Sequence, residues 1–318
     1  MKYLLPFFLV IFFISCDSNY EYDLQGRLIY TIDKDGDPVI ENTDDEEYQE
    51  QFTFGCDGGF CYGYNSPDAE IAAIDINIDF PIEYDISEFL PEVRSQGTQG
   101  SCVAWATGYY MKSFHKNYDD FTNGNLDLGN EISPAYIYNQ IKASDCAGGS
   151  AIQRSLDTLK SQGAPDWVIM PYDENECDTQ PNDAQKLAAL PNKIDSYFYL
   201  DGNDLLKNTK ASLLNNQPVV IAITIDRNYF GARDADGKHI YRKFLKNDGS
   251  HAMLVVGYSD EMNAFKVVNS WGKDWGNQGF VWIDYKAWEQ ANDIDADFKI
   301  LCEAWVTNDI IIPQPASL

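Results

Sequence analysis

The sequence predicts an α+β fold in two lobes, one mainly helical and one an antiparallel β-sheet, with a cleft between them. Three observations carry this. Apolar residues recur with helical spacing after residue 100, short β-rich runs separated by turn residues fill the last third, and 318 residues with 44% hydrophobic and 14% aromatic side chains suffice for a large core.

The chain starts with Lys2 and an apolar run from Tyr3 to Ile14, too short to cross a bilayer as a helix and therefore read as a targeting segment. Phe13-Ile14-Ser15-Cys16 closes the run and resembles the lipobox of bacterial lipoproteins. The resemblance implies that residues 1–15 are a signal peptide and that Cys16 becomes an acylated N-terminus. The alternative is an ordinary signal peptide with Cys16 left as a thiol. Acylation places the protein on the periplasmic or outer face of a bacterial membrane without crossing it.

Fifty acidic against 23 basic side chains give a net charge of −27, which repels phosphate backbones and argues against a nucleic-acid partner. Residues 17–88 hold 20 Asp or Glu and 2 Lys or Arg. Residues 16–77 are accordingly read as an acidic spacer, with a short pro-segment or stalk as the alternative. Turn pairs such as Asp35-Gly36 and Asp57-Gly58-Gly59 suggest a few hairpins there. Asp33, Asp35 and Asp37 do not make a calcium loop, because Gly36 is misplaced and no glutamate closes twelve residues. No metal site is predicted.

Ser101 to about Lys116 places Val103, Ala106, Tyr110 and Phe114 on one helical face, after a loop containing Gly97 and Gly100. A second helix spans Ala151 to Leu159, with Ile152, Leu156 and Leu159 on one side and Gly163 as its stop. Strands are expected at Val219–Ile223, Ala252–Tyr258, Phe265–Val268 and Phe280–Ile283. No internal repeat or low-complexity tract is present.

Seven cysteines in an exported chain suggest disulfides. With Cys16 assigned to lipid, Cys56 and Cys61 are close enough for a local bridge, and Cys146 and Cys177 flank a helical segment. Cys102 and Cys302 are left over, Cys302 as a buried, inert thiol.

Cys102 falls in the first turn of a buried helix, where unpaired amides favour a thiolate. The chain offers three histidines as its base. His115 sits over three turns along the same helix, and His239 follows the polar turn Asp236-Gly237-Lys238. Ser250-His251-Ala252 stands at the mouth of an apolar strand, which makes His251 the candidate.

Gln96 to Cys102, the run from Gly249 to Tyr258, and Asn269-Ser270-Trp271-Gly272-Lys273-Asp274-Trp275-Gly276 resemble, in that order, the active-site segments of papain-like cysteine peptidases. The resemblance implies the papain-like two-lobed fold. It implies Cys102 as nucleophile, His251 as general base and acid, Asn269 as the residue orienting His251, and Gln96 as an oxyanion donor. It makes Trp271 a shield over the His–Asn bond and places Trp275 on the leaving-group side of the cleft. Cys146-Ala147-Gly148-Gly149 looks like the family's Gly-Gly loop, so Gly148 and Gly149 face substrate; a plain turn leading into a helix is the competing account.

Three departures stand out. Gln99 occupies the position of a cysteine that usually bridges to the Gly-Gly loop, which leaves Cys146 to pair with Cys177. Val103 replaces the usual aromatic residue after the nucleophile. The segment before the domain lacks the long helical pattern of the family's propeptides.

The expected organisation is a catalytic domain at 78–307 and a C-terminal tail at 308–318. The expected activity is hydrolysis of peptide bonds in a protein or peptide through a thioester, by a monomer using neither metal nor organic cofactor. A catalytically silent peptide- or glycan-binding lipoprotein on the same fold, or a Cys-His amidase or acyl transferase, are the alternatives. Tyr229 to Lys246, with Asp234, Asp236 and several basic residues, is read as a loop near His251 and is assigned no role.

Overall fold

The computed structural model describes residues 19–22, 28–32, 38–39, 70–125, 129–200, 204–231, 237–244, 249–289 and 300–309. Cys16, Cys56, Cys61 and the turn at Asp33, Asp35 and Asp37 lie outside them. Strands β1 (Asn19–Tyr22), β2 (Leu28–Ile32) and β3 (Pro38–Val39) pair antiparallel, β2 and β3 on either side of the segment holding Asp35-Gly36, while Asp57-Gly58-Gly59 lies outside the described residues. β4 (Glu83–Asp85) then leads into the helical lobe.

The helix carrying Cys102, α1, is one run with α geometry at Cys102–Ala104, π geometry at Trp105–Lys112 and α geometry again at Ser113–Thr122. Every residue from Cys102 to Phe114 is buried, whichever way it points. A helix covered on all sides is the centre of a core rather than a surface element. Gly108 makes this packing possible, since a Cβ there would sit 2.4 Å from Ile137 Cδ1 of α2 (Pro134–Ile141). Ser133 caps α2 by accepting the Tyr136 N–H at 3.2 Å, with Pro134 in the first turn where no N–H is required.

α3 (Ile152–Ser161) matches the second helix read from the sequence, and Gly163 ends it with φ +75°. α4 (Asp183–Ala189) opens on a capping box between Asn182 and Gln185. The order then becomes β5 (Ile194–Tyr199), α5 (Leu205–Leu214), β6 (Val219–Ile225), α6 (Arg227–Gly231), β7 (Ile240–Tyr241), β8 (Gly249–Ser259), β9 (Ala264–Val268), β10 (Phe280–Asp284), α7 (Lys286–Glu289) and β11 (Leu301–Asp309).

The sheet runs β5-β11-β6-β8-β9-β10-β7, with β4 added against β8, and is antiparallel except where β10 meets β7. All of β6 is buried, the mark of a strand covered on both faces. α1 packs across β8 and β6, so the N-terminus of the helix meets the start of β8.

Cys146 and Cys177 form a disulfide, with Cα atoms 5.6 Å apart. The expectation for Cys302 is overturned: it is disulfide-bonded, to a partner outside the described residues. The reason lies in β11, whose register against β6 shifts between Leu301 and Glu303. Cys302 occupies that bulge, is half-buried and packs against the edge of the core.

Candidate active site

A helix leaves its first N–H groups without intrahelical partners, and Cys102 is the first residue of α1. Its sulfur accepts the backbone N–H of Ala252 at 3.4 Å, which brings the helix terminus against β8 one residue beyond His251. His251 lies opposite Ile223 in the β6–β8 pairing, near the start of β8 and before the β8–β9 pairing begins at Leu254.

His251 Nε2 lies 2.7 Å from Asn269 Oδ1, and the same oxygen accepts the Ser270 N–H at 2.7 Å. The backbone donor identifies that atom as the amide oxygen, which can only accept, so Nε2 carries the ring hydrogen. Nδ1 is left as the basic nitrogen; it is buried and has no hydrogen-bond partner. Tyr110 anchors the Asn269 loop by donating to its carbonyl at 3.0 Å.

Gln96 is tied to both halves of the site. Its N–H donates to Ser270 O at 2.8 Å, and its Oε1 accepts from Ser270 Oγ. Its Nε2 donates one hydrogen to Gln99 O at 2.9 Å. Tyr172 supports the loop from below, its hydroxyl 2.7 Å from Gln96 O and 2.7 Å from Ser101 Oγ. Burial pushes the hydroxyl pKa values of Tyr110 and Tyr172 up, so both stay protonated donors. Gly97 needs φ +60° and leaves room for the Glu174 carboxylate, which would lie 1.5 Å from a Cβ and which accepts the Thr98 N–H at 2.9 Å.

The Gly-Gly loop packs on this loop, Gly100 N donating to Cys146 O at 2.8 Å. Gly148 is required by the loop itself, because a Cβ would meet Ser144 Oγ at 2.3 Å. Gly149 gives its carbonyl to Ala143 N at 2.9 Å. Gln99, standing where the family has a cysteine, points its amide at the carbonyls of Asp173 and Glu174, 3.4 and 3.5 Å away. The Cys146–Cys177 bridge fastens the Gly-Gly loop to the end of that same segment.

Trp271 stacks on His251 with ring centres 4.7 Å apart, and Phe230 stacks on Trp271 at 5.4 Å. Trp275 meets Trp271 edge-on at 5.1 Å and is almost buried. Cys102, Gln96, His251 and Asn269 are all fully buried, at 0% exposure. The other two histidines stand apart in different ways. His115 bonds Thr307 on β11. His239, expected in a polar turn, is instead completely buried beside Trp275.

Ser270, Tyr172 and Tyr229 were not anticipated as parts of the site. Ser270 lies inside the third motif and Tyr172 follows Met170-Pro171, so position in the sequence held a signal for both. Among the described residues no group of three or more His, Cys, Asp or Glu is placed to hold a metal, and no helix is long and apolar enough to cross a membrane.

Residues 80–297 match the family described as papain family cysteine protease. An uncharacterised peptidase C1-like protein of Acanthamoeba polyphaga mimivirus is 27% identical over 70% of this chain and 73% of its own length. Ananain of Ananas comosus is 24% identical over 73% of this chain, which spans 60% of ananain. The crystal structure of xylellain, a cysteine protease from Xylella fastidiosa, shares the fold with a TM-score of 0.65 at 20% identity, covering 81% of this chain and 99% of that one.

Proposed function

Since the chain belongs to the papain family of cysteine proteases, we propose that it hydrolyses peptide bonds in proteins or peptides with Cys102 as nucleophile and His251 as its proton carrier. The Cys102 proton passes to His251 Nδ1 as the sulfur bonds the scissile carbonyl carbon. That proton then goes to the amine as the C–N bond breaks, leaving a thioester. Water attacks the thioester, gives a proton to Nδ1, and returns the thiol with release of the acid.

Asn269 keeps the imidazole in the tautomer this sequence requires. The Gln96 amide and the Cys102 N–H at the start of α1 serve as donors to the developing oxyanion. Trp271 keeps water from the His251–Asn269 bond, Trp275 backs it on the leaving-group side, and the backbone of Gly148 and Gly149 receives the substrate chain. The observation that carries the reading is the locked His251–Asn269 pair, which leaves Nδ1 without a hydrogen-bond partner on a residue whose neighbour Ala252 donates its N–H to the Cys102 sulfur.

We further propose that residues 1–15 are removed, that Cys16 is acylated, and that 16–77 hold a monomeric domain of residues 78–307 away from a bacterial membrane. Mass analysis of the mature N-terminus tests the anchor, and protease shaving of intact cells tests surface exposure. The catalytic reading is tested by intact mass after exposure to a peptidyl epoxide, with and without N-terminal trimming. A single adduct on wild type that is absent in Cys102→Ala supports it. No adduct in reducing buffer contradicts it and returns the silent binding protein.

A further inference from the structure

The segment after β6 and the buried His239 have no part in the chemistry above, yet both reach the catalytic histidine through aromatic contacts. His251 stacks on Trp271 at 4.7 Å and 29°, and Phe230 stacks on the same indole at 5.4 Å and 3°. Tyr229 fills the corner, its ring 5.6 Å from Trp271, 5.3 Å from Trp275 and 6.4 Å from His251. An imidazolium gains from an aromatic face against it, and a mobile indole would admit water to the His251–Asn269 bond.

What holds Tyr229 and Phe230 is α6, a single short turn that cannot be stable alone. It is fastened at its start by Asp226, which accepts the Asn228 N–H at 2.8 Å. Inside the core, the Tyr229 hydroxyl reaches Met253 Sδ at 2.7 Å. Asn228 Nδ2 donates to Lys243 O at 3.1 Å, and the attachment nearest the rings is His239, whose Nε2 lies 2.6 Å from the carbonyl of Tyr229. A carbonyl only accepts, so His239 donates from Nε2.

His239 is itself fixed from the other side. Its N–H donates to Asn277 Oδ1 at 2.9 Å, its carbonyl accepts the Trp282 N–H at 3.0 Å, and its ring lies 4.5 Å from Trp275. One buried residue therefore joins the three elements: its side chain meets the turn bearing Tyr229 and Phe230 and the ring of Trp275, and its backbone meets Asn277 and strand β10.

We propose that His239 is a positioning residue for the catalytic histidine, holding Tyr229 and Phe230 behind Trp271 so that the indole stays stacked on His251. It touches neither substrate nor reacting atoms. Without its N–H the buried Tyr229 carbonyl loses its donor, α6 loosens, and Trp271 loses its backing. The inference rests on the catalytic reading of Cys102 and His251.

The test compares full-length wild type, His239→Gln, His239→Ala and Phe230→Leu, using a fluorogenic peptide amide and counting active sites by peptidyl epoxide titration. Glutamine places a donor nitrogen near the histidine Nε2 and retains the attachment. Expected is a loss of kcat per titrated site of about tenfold or more in His239→Ala and Phe230→Leu, with KM little changed, because small displacements of reacting groups cost rate rather than binding. His239→Gln should recover most of that loss. Wild-type kcat in His239→Ala, or a glutamine variant no better than alanine, overturns the proposal. If His239→Ala yields no titratable sites, Phe230→Leu and His239→Gln still decide, since neither removes the fold's core. A wild type that neither labels nor turns over would overturn the catalytic reading itself, and this inference with it.

Discussion

His251 and Asn269 are joined by a 2.7 Å contact from Nε2 to Oδ1, and the Ser270 N–H fixes the orientation of that amide by donating to the same oxygen. The ring is thereby committed to one tautomer, with Nδ1 as the nitrogen free of hydrogen. Asn269→Ala removes the commitment and leaves packing largely intact. It should lower kcat by about 10²-fold with KM nearly unchanged, measured by steady-state hydrolysis of a peptide amide.

Gln96 acts on the other half of the reaction. Gln96→Ala should cost about 10²- to 10³-fold in kcat, the size expected for one oxyanion donor. Ser270→Ala leaves the donor in place and removes only its Oγ tether, so a smaller loss is expected. Equal losses in the two variants would mean that the tether, rather than the donor, carries the effect.

The Cys146–Cys177 bridge closes a loop with a sequence separation of 31 and sits where the Gly-Gly loop meets the segment under Gln96. Replacing both cysteines by alanine should destabilise the domain by about 3 to 4 kcal/mol in urea unfolding, on the chain-entropy account of cross-links. The catalytic loop should suffer with it, and kcat should fall even where the variant is fully folded.

Much of this was legible in the sequence, and the exceptions have physical causes. Cys102, His251 and Asn269 sit in short segments whose spacing belongs to local structure, a helix start and strand mouths, and these segments fold as read. The strands at 219–225, 249–259, 264–268 and 280–284 announced themselves as β-rich runs. α2 did not, because almost all of Pro134–Ile141 is buried and a helix covered on every side has no polar face to reveal its period. His239 follows Asp236-Gly237-Lys238, polar neighbours that suggest a turn. Its burial depends on Tyr229 and Asn277, ten and 38 residues away. Cys302 misled for the same reason, since its disulfide partner is distant in sequence and its bulge is set by pairing with β6.

His115 gives the fold a dependence on acid. It is buried against Thr307, and desolvation lowers its pKa from 6.5 to about 4, with Asp309 opposing the shift and Lys112 adding to it. Between those values the unfolded chain takes up a proton that the folded chain refuses. Stability is therefore full above pH 6.5 and declines as pH falls toward 4, by about 3 kcal/mol from this group alone. Urea unfolding at pH 7 and pH 4.5 should show a smaller decline in His115→Gln than in wild type; equal declines would refute the assignment.

Lys210 is nearly buried, paired with Asp260 and surrounded by the rings of Tyr258 at 4.7 Å, Tyr285 at 4.8 Å and Phe80 at 5.9 Å. Tyr285 also donates to Asp260 at 2.7 Å, so α5, the β8–β9 turn and the start of the domain meet at one cation. Lys210→Met should lower stability by about 2 kcal/mol, less than for a fully buried pair because Asp260 is partly in water. Denaturant midpoints of the two proteins check this.

The central claim, that Cys102 is activated by His251, is tested most directly by the rate at which Cys102 is alkylated as a function of pH, in wild type and His251→Ala, with Cys102→Ala as background. An ordinary thiol titrates near pH 8.5 and loses about tenfold in rate per unit below it. The account predicts that wild type reacts rapidly down to about pH 6, and that His251→Ala falls to ordinary behaviour. Ordinary behaviour in both proteins would contradict it.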